Sequence, residues 1–267
     1  MDGVALCARF SIATNRLQFC GPSDAEPALY RAITTEEGHA EARNHLSRFE
    51  ALMPYLEAIG RKHGLDPFDP RVVEAYWIGN ELLDDFSRED FRALIGALVR
   101  RGLPRSLGDD LIQRLPANPI PHHMFHVAYV GVGSVTGHVE TTLANMESCR
   151  PAWATIETKS PSTIRVQRPS LLLRAGRLAV GAPASLDLAY DPRALPGIEV
   201  GQVVAVHWGW PAVPLDARQA SSLIRYTQRS LDAASGPSYW TATNGREHSL
   251  SSGAVKTGQN LHAEKRR

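Results

Sequence analysis

The sequence predicts an α+β fold, an N-terminal helical domain followed by a small OB-like β-barrel with a C-terminal helix. Three observations carry that expectation. Apolar residues recur at helical spacing through the first part of the chain, short strand-like runs separated by proline and glycine dominate from Arg150 onward, and Asp216 opens a last helical segment. A chain of 267 residues has room for one large or two small domains. The expected division is a helical domain over 1–130 ending in a His-containing strand, a barrel with flanking helices over 131–235, and a disordered tail over 236–267, where Ser, Gly, Thr and basic residues replace apolar anchors.

Taken in order, Asp24 to Ile33 is a short helix after the turn at Gly21-Pro22. Leu46, Phe49, Met53 and Leu56 continue at helical spacing, with Pro54 kinking or restarting the helix. Asp69-Pro70 caps and launches a segment carrying Val72, Val73, Tyr76 and Trp77, and Ser87 caps another with Phe91, Leu94, Ile95 and Leu98 on one side, ending near Gly102. Four or five helices are expected here. Pro116, Pro119 and Pro121 then enforce extended backbone, so His122 to Val130 reads as a strand, Gly131 to Gly137 as a loop and Val139 to Glu147 as a helix. Strands are expected at 152–157, 164–168, 171–173, 178–180, 186–189 and 202–207. Asp216, with Gln219 three residues on, has the spacing of a capping box.

Composition narrows the function classes. A net charge of +1 offers no basic field for nucleic acid, and no apolar run is long enough to span a bilayer. No export signal is visible, and three cysteines at positions 7, 20 and 149 form neither a disulfide framework nor a CxxC pair. A reducing cytoplasm with free thiols is the expected setting.

The most informative stretch is Gly201 to Ser222, GQVVAVHWGWPAVPLDARQASS. Its Val-Gly-Gln-Val-Val-Ala-Val-His-Trp-Gly-Trp run, followed by Ala212, Leu215, Asp216 and Ala220, resembles the C-terminal signature of the HypC-type assembly chaperones of [NiFe]-hydrogenases. The resemblance extends from Cys149 to about Leu231. It implies a five-stranded barrel that carries an iron carbonyl-cyanide unit to the hydrogenase large subunit. In that family an essential cysteine begins the first strand, which maps here to Cys149, and a histidine lies near the other end of the barrel, which maps to His207. The family's cysteine is N-terminal with a proline four residues on, whereas Cys149 is internal and its proline, Pro151, follows after two residues. The FCGP motif at Phe19 to Pro22, the run RVVEAYWIGN from Arg71 to Asn80 and the His-rich segment are similar to an uncharacterised family associated with hydrogenase gene clusters.

These likenesses make Cys149 and His207 the candidate metal ligands, a soft thiolate and a neutral imidazole suited to iron. A histidine ending a buried strand can equally serve only to satisfy backbone carbonyls. Trp208 and Trp210 are expected on opposite strand faces, one packed and the other an exposed anchor for a partner. His122 and His126 are secondary candidates, since on a strand they share a face but lie about 13 Å apart, with His123 on the opposite face. Glu74, Tyr76 and Asn80 are candidates for lining a pocket.

The leading expectation is therefore a cytoplasmic accessory protein of [NiFe]-hydrogenase maturation rather than an enzyme. Its partners would be the large-subunit precursor or the iron-sulfur scaffold maturation protein, with no nucleic acid and no membrane involved. A thiol- or metal-dependent enzyme is the first alternative, with Cys20 or Cys149 as nucleophile and His122, His123 or His126 as base. No nucleophile elbow, phosphate loop, dinucleotide fingerprint or HExxH motif supports it. A purely structural interaction module is the second alternative.

Overall fold

The protein is α+β, with an N-terminal helical region, a five-stranded antiparallel sheet and a C-terminal helix. This computed structural model describes residues 1–35 and 37–234; the expected tail at 236–267 lies outside the described residues. Seven α-helices precede residue 115: α1 Gly3–Arg16, α2 Glu26–Thr34, α3 His39–Leu46, α4 Met53–His63, α5 Pro70–Trp77, α6 Arg88–Arg100 and α7 Arg105–Gln113. That exceeds the four or five expected, and α1 is the instructive addition. Asp2 caps it by accepting from the Val4 and Ala5 N–H groups, and every residue except Arg9 and Arg16 is buried. A helix buried all round has no polar face, so its sequence carries no 3.6-residue alternation to read.

The expected caps are present. Pro54 sits in the first turn of α4 after α3 has ended at Leu46, so it restarts the helix. Asp69 accepts from Arg71 N–H with Pro70 as the first helical residue, and Ser87 forms a reciprocal capping box with Asp90.

The segment His122 to Val130 is helical and not a strand. His123–Phe125 forms α8, and His126–Gly131 continues it as one π-helical turn, all of it buried. The three prolines constrain the chain only up to Pro121. His122 then caps α8, its Nδ1 accepting from Met124 N–H at 3.2 Å. A buried apolar run has no period by which a strand can be told from a helix. One further helix, α9 (Leu143–Cys149), is capped by Thr142 and leads into the sheet.

The strands are β1 Ala152–Lys159, β2 Thr163–Arg174, β3 Arg177–Ala189, β4 Val203–His207 and β5 Trp210–Leu215, in the spatial order β3-β2-β1-β4-β5. The runs 164–168 and 171–173 belong to one strand that passes through an irregularity between Pro169 and Leu171, and 178–180 and 186–189 are both parts of β3. β5 is unforeseen. Its prolines, Pro211 and Pro214, are tolerated because it is an edge strand. The edge strands β3 and β5 approach one another without pairing, so the sheet curls over Ile156, Ile164, Val166, Leu188, Val204 and Val206.

The β4–β5 hairpin turns on Trp208 (φ 51°) and Gly209 (φ 72°), two left-handed residues as a type I′ turn requires. The strand thus stops at His207, and Trp208 and Trp210 do not alternate along one continuous strand. After β5, Asp216 and Gln219 form the expected reciprocal cap, with bonds of 3.2 and 2.7 Å, and α10 (Ala217–Ala234) packs against α8 and β1.

Helices and sheet are tied by partly buried polar links. Arg9 of α1 donates to Ala194 O, to Ala212 O at 3.4 Å and to Ile33 O at 3.1 Å. Tyr30 Oη donates to Asp191 at 2.6 Å. Among the described residues, no helix is long and apolar enough to cross a membrane.

Candidate functional site

Register brings the site together. β1 pairs antiparallel with β4, Ala152 opposite Val206, so Cys149, just before β1, comes beside His207, the last residue of β4. The Trp208 N–H donates to Ser148 O at 2.7 Å, pinning the end of α9 against the hairpin turn. From the helical side, α8 contributes His123. A Cys149 Sγ, a His123 ring nitrogen and a His207 ring nitrogen all lie within 4.8 Å of one another, and all three residues are buried.

The contacts define which atoms are free. His207 Nδ1 lies 2.7 Å from the Phe10 carbonyl, which can only accept, so Nδ1 carries the proton and Nε2 keeps its lone pair. That Nε2 is buried with no hydrogen-bond partner among the described residues. His123 Nε2 lies 3.0 Å from the Cys149 carbonyl and 3.6 Å from the Cys149 sulfur, while its Nδ1 lies 2.7 Å from Tyr76 Oη. Trp77 packs against both imidazoles, with ring centroids 4.4 Å from His123 and 5.0 Å from His207, and itself stacks on Phe10 at 4.8 Å.

Burial sets the charge state. Desolvation pushes the Cys149 thiol up to about 12, partly offset by the indole N–H of Trp208. Desolvation also brings His207 down to about 4, opposed by the carbonyls of Phe10 and Cys149, and His126 down to about 4. His123 is lowered well below the ordinary histidine value, first by burial and then by the other three histidines. The metal-free site is an uncharged thiol facing uncharged imidazoles.

Cys149 and His207, expected as ligands, are therefore adjacent, and His123 joins them. His126 lies one helical turn on, its ring stacked 5.9 Å from that of His123 and its Nδ1 3.0 Å from Tyr55 Oη, so it shares the cavity. The expectation of 13 Å spacing and opposed faces fails with the strand assignment. His122 caps α8 and faces Tyr226, away from the cluster. Cys20 is not an exposed turn thiol. It lines the same cavity with its sulfur 3.9 Å from Glu50, and burial first, then the Glu50 charge, push its thiol up to about 12.

Of the pocket candidates, Tyr76 alone lines the cavity. Glu74 pairs instead with Arg218 at 2.8 Å and Gln219 at 3.3 Å on α10. Asn80 is a structural cap, accepting from Leu82 N–H and donating to Arg71 O. Neither tryptophan stands free on the surface: half-buried Trp208 packs on Phe19 at 4.8 Å, and half-buried Trp210 lies under the Arg16 guanidinium at 5.0 Å.

The cavity beside the three ligand atoms has a volume of about 60 Å³ and, among the described residues, no Asp, Glu, Lys or Arg in its wall. In a tetrahedral site with metal–nitrogen bonds of ~2.0 Å and metal–sulfur bonds of ~2.3 Å, donor atoms stand about 3.3–3.6 Å apart. The sulfur to Nε2 distance of 3.6 Å already meets that spacing. One sulfur and two imidazole nitrogens suit a borderline or soft d-block ion and leave a fourth position toward the cavity.

Fold and site together define an α+β protein with a buried Cys-His-His cluster at the junction of a helical layer and a curled sheet. The chain belongs to the family of unknown function DUF6390, which it matches over residues 1–238, helical region and sheet alike. No curated protein and no solved structure matches it.

Proposed function

We propose that the protein holds one metal centre through Cys149, His207 and His123 and handles it as cargo. In the form that the resemblance of residues 149–231 supports, it is an accessory protein of [NiFe]-hydrogenase maturation that holds the iron carbonyl-cyanide unit for the large-subunit precursor, received from the iron-sulfur scaffold maturation protein. The observation that carries the metal reading is the His207 Nε2 lone pair, buried without a partner among the described residues, on a ring with a nitrogen within 4.8 Å of the Cys149 sulfur and of a His123 nitrogen. Such an atom left unpaired costs about 1–3 kcal/mol, which a bound cation would recover.

Charge balance supports the cargo form. With no charged side chain among the described residues of the cavity wall, one Cys149 thiolate offsets a single positive charge. A bare dication would keep one uncompensated positive charge in a low-dielectric site, which one anionic ligand arriving with the iron would cancel. Three free cysteines accord with a reducing cytoplasm.

A second reading has one observation in its favour. Cys149 and Tyr76 lie on the two ring nitrogens of His123 at 3.6 and 2.7 Å, the order of a nucleophile, a base and an orienting group. Burial keeps that thiol protonated and that imidazole a weak base, which disfavours nucleophilic work at neutral pH and leaves metal ligation intact, since a metal displaces the thiol proton.

The test is metal analysis with infrared spectroscopy on protein isolated without oxygen after co-expression with hydrogenase maturation proteins. Iron with carbonyl and cyanide bands, lost in Cys149→Ser and in His207→Ala, is the expected result. Zinc or copper without such bands would end the hydrogenase form and keep the metal site. A metal-free protein whose Cys149 is alkylated rapidly at neutral pH would favour the enzyme.

A further inference from the structure

The two histidines of the cluster are prepared for a metal in opposite ways. His207 is preset, because the Phe10 carbonyl holds the proton on Nδ1 and leaves Nε2 bare. His123 is blocked, because the Cys149 carbonyl at 3.0 Å requires the proton on Nε2, the nitrogen nearest the sulfur, and Tyr76 then donates to the bare Nδ1. The partner on the far side of His123 is thus a hydroxyl and not a carbonyl. A hydroxyl can donate or accept, so it tolerates either tautomer, while Phe10 O tolerates one.

We propose that Cys149 and His207 capture the metal first and that His123 is a switchable third ligand, joining only when its proton moves from Nε2 to Nδ1 and Tyr76 turns from donor to acceptor. This rests on the metal reading of the same cluster. In the metal-free state the groups are Cys149 Sγ–H, His123 Nε2–H, His207 Nδ1–H and a Tyr76 hydroxyl donating to His123 Nδ1. On binding, the metal–sulfur bond replaces the thiol proton, which leaves to solvent. The His123 proton is lost at Nε2 and regained at Nδ1, so one proton is released per ion. His123 leaves by the reverse exchange, which lowers the coordination number without unfolding anything and lets a cargo be handed on. Tyr76 is accordingly a positioning residue.

The experiment uses the full chain labelled with ¹⁵N in its histidines, with two-bond ¹H–¹⁵N spectra recorded metal-free and after one equivalent of Zn²⁺, and His123, His126 and His207 assigned by single substitution. In the metal-free protein His123 should show a protonated Nε2 and His207 a protonated Nδ1. With Zn²⁺, the protonated nitrogen of His123 should change to Nδ1 and that of His207 should not. In Tyr76→Phe, folded by circular dichroism, the zinc-bound Nδ1–H of His123 loses its acceptor, and Zn²⁺ affinity should fall by about 10–100-fold with the His207 pattern unaltered.

A His123 that carries its proton on Nδ1 before metal is added overturns the switch, as does a His123 that keeps Nε2–H while zinc sits on Cys149 and His207. Both leave the metal site standing. Absence of any change at Cys149, His123 and His207, both with Zn²⁺ and in protein isolated without oxygen after co-expression with the maturation proteins, overturns the metal reading and the switch with it.

Discussion

Acidification should unfold the metal-free protein unusually early. Burial holds His126 and His207 down to about 4 and His122 to about 3, against an ordinary 6.5, and lowers His123 as well. A folded-state pKa below the unfolded one means that the unfolded chain binds the proton first. Stability is therefore intact above the unfolded value and falls as the pH drops toward the folded one. At about pH 5, each of His122, His126 and His207 removes about 2 kcal/mol, or about 6 kcal/mol together, comparable with the 5–15 kcal/mol of a whole domain. Carboxylates contribute little in that window, since Asp191, for example, lowered to about 2, begins to matter only near its ordinary 3.8. The assay is denaturant unfolding followed by circular dichroism between about pH 7.5 and about pH 5 in the presence of a chelator. His207→Asn keeps an amide donor in place of Nδ1–H, and it should reduce the acid loss by about 2 kcal/mol. A stability constant within about 1 kcal/mol across that range would refute the claim that these imidazoles are buried and uncharged.

Two further predictions concern the scaffold. Glu147 accepts from the fully buried Arg150 at 2.8 Å, from Arg168 at 2.8 Å and from Leu171 N–H at 2.6 Å, so Glu147→Gln strands a buried cation beside Cys149. It should cost about 3–5 kcal/mol in denaturant unfolding. At Gly133 (φ +73°) an added Cβ would stand 1.8 Å from the Val139 carbonyl oxygen, whereas at Gly137, with the same φ, it would meet nothing within 4 Å. Gly133→Ala should lower stability by about 3 kcal/mol or more and Gly137→Ala by about 1–2 kcal/mol, and equal losses would refute the close approach.

Much of the architecture was legible because it is written in local chemistry. Asp69-Pro70, Ser87 with Asp90, and Asp216 with Gln219 cap helices through contacts three residues long or shorter. The turn residues around β1 to β4 likewise act on their own backbone. The pairing of Cys149 with His207 was within reach for a related reason: one precedes the first strand and the other ends the fourth, and the resemblance supplied that order.

What the amino-acid order determined by itself, then, is where the capped helices begin and which sulfur and imidazole flank the sheet, since capping and turn chemistry need only neighbouring residues. Only the tertiary structure decided that α1 runs through the interior, that His122 to Gly131 is helical, and that His123 faces the cluster while Glu74 and Asn80 do not. Those outcomes depend on what surrounds each segment: a run buried on every side has no hydrophobic period to betray its form. The preset state of His207 depends on the carbonyl of Phe10, 197 residues away in the chain, and a backbone oxygen leaves no signature in a sequence.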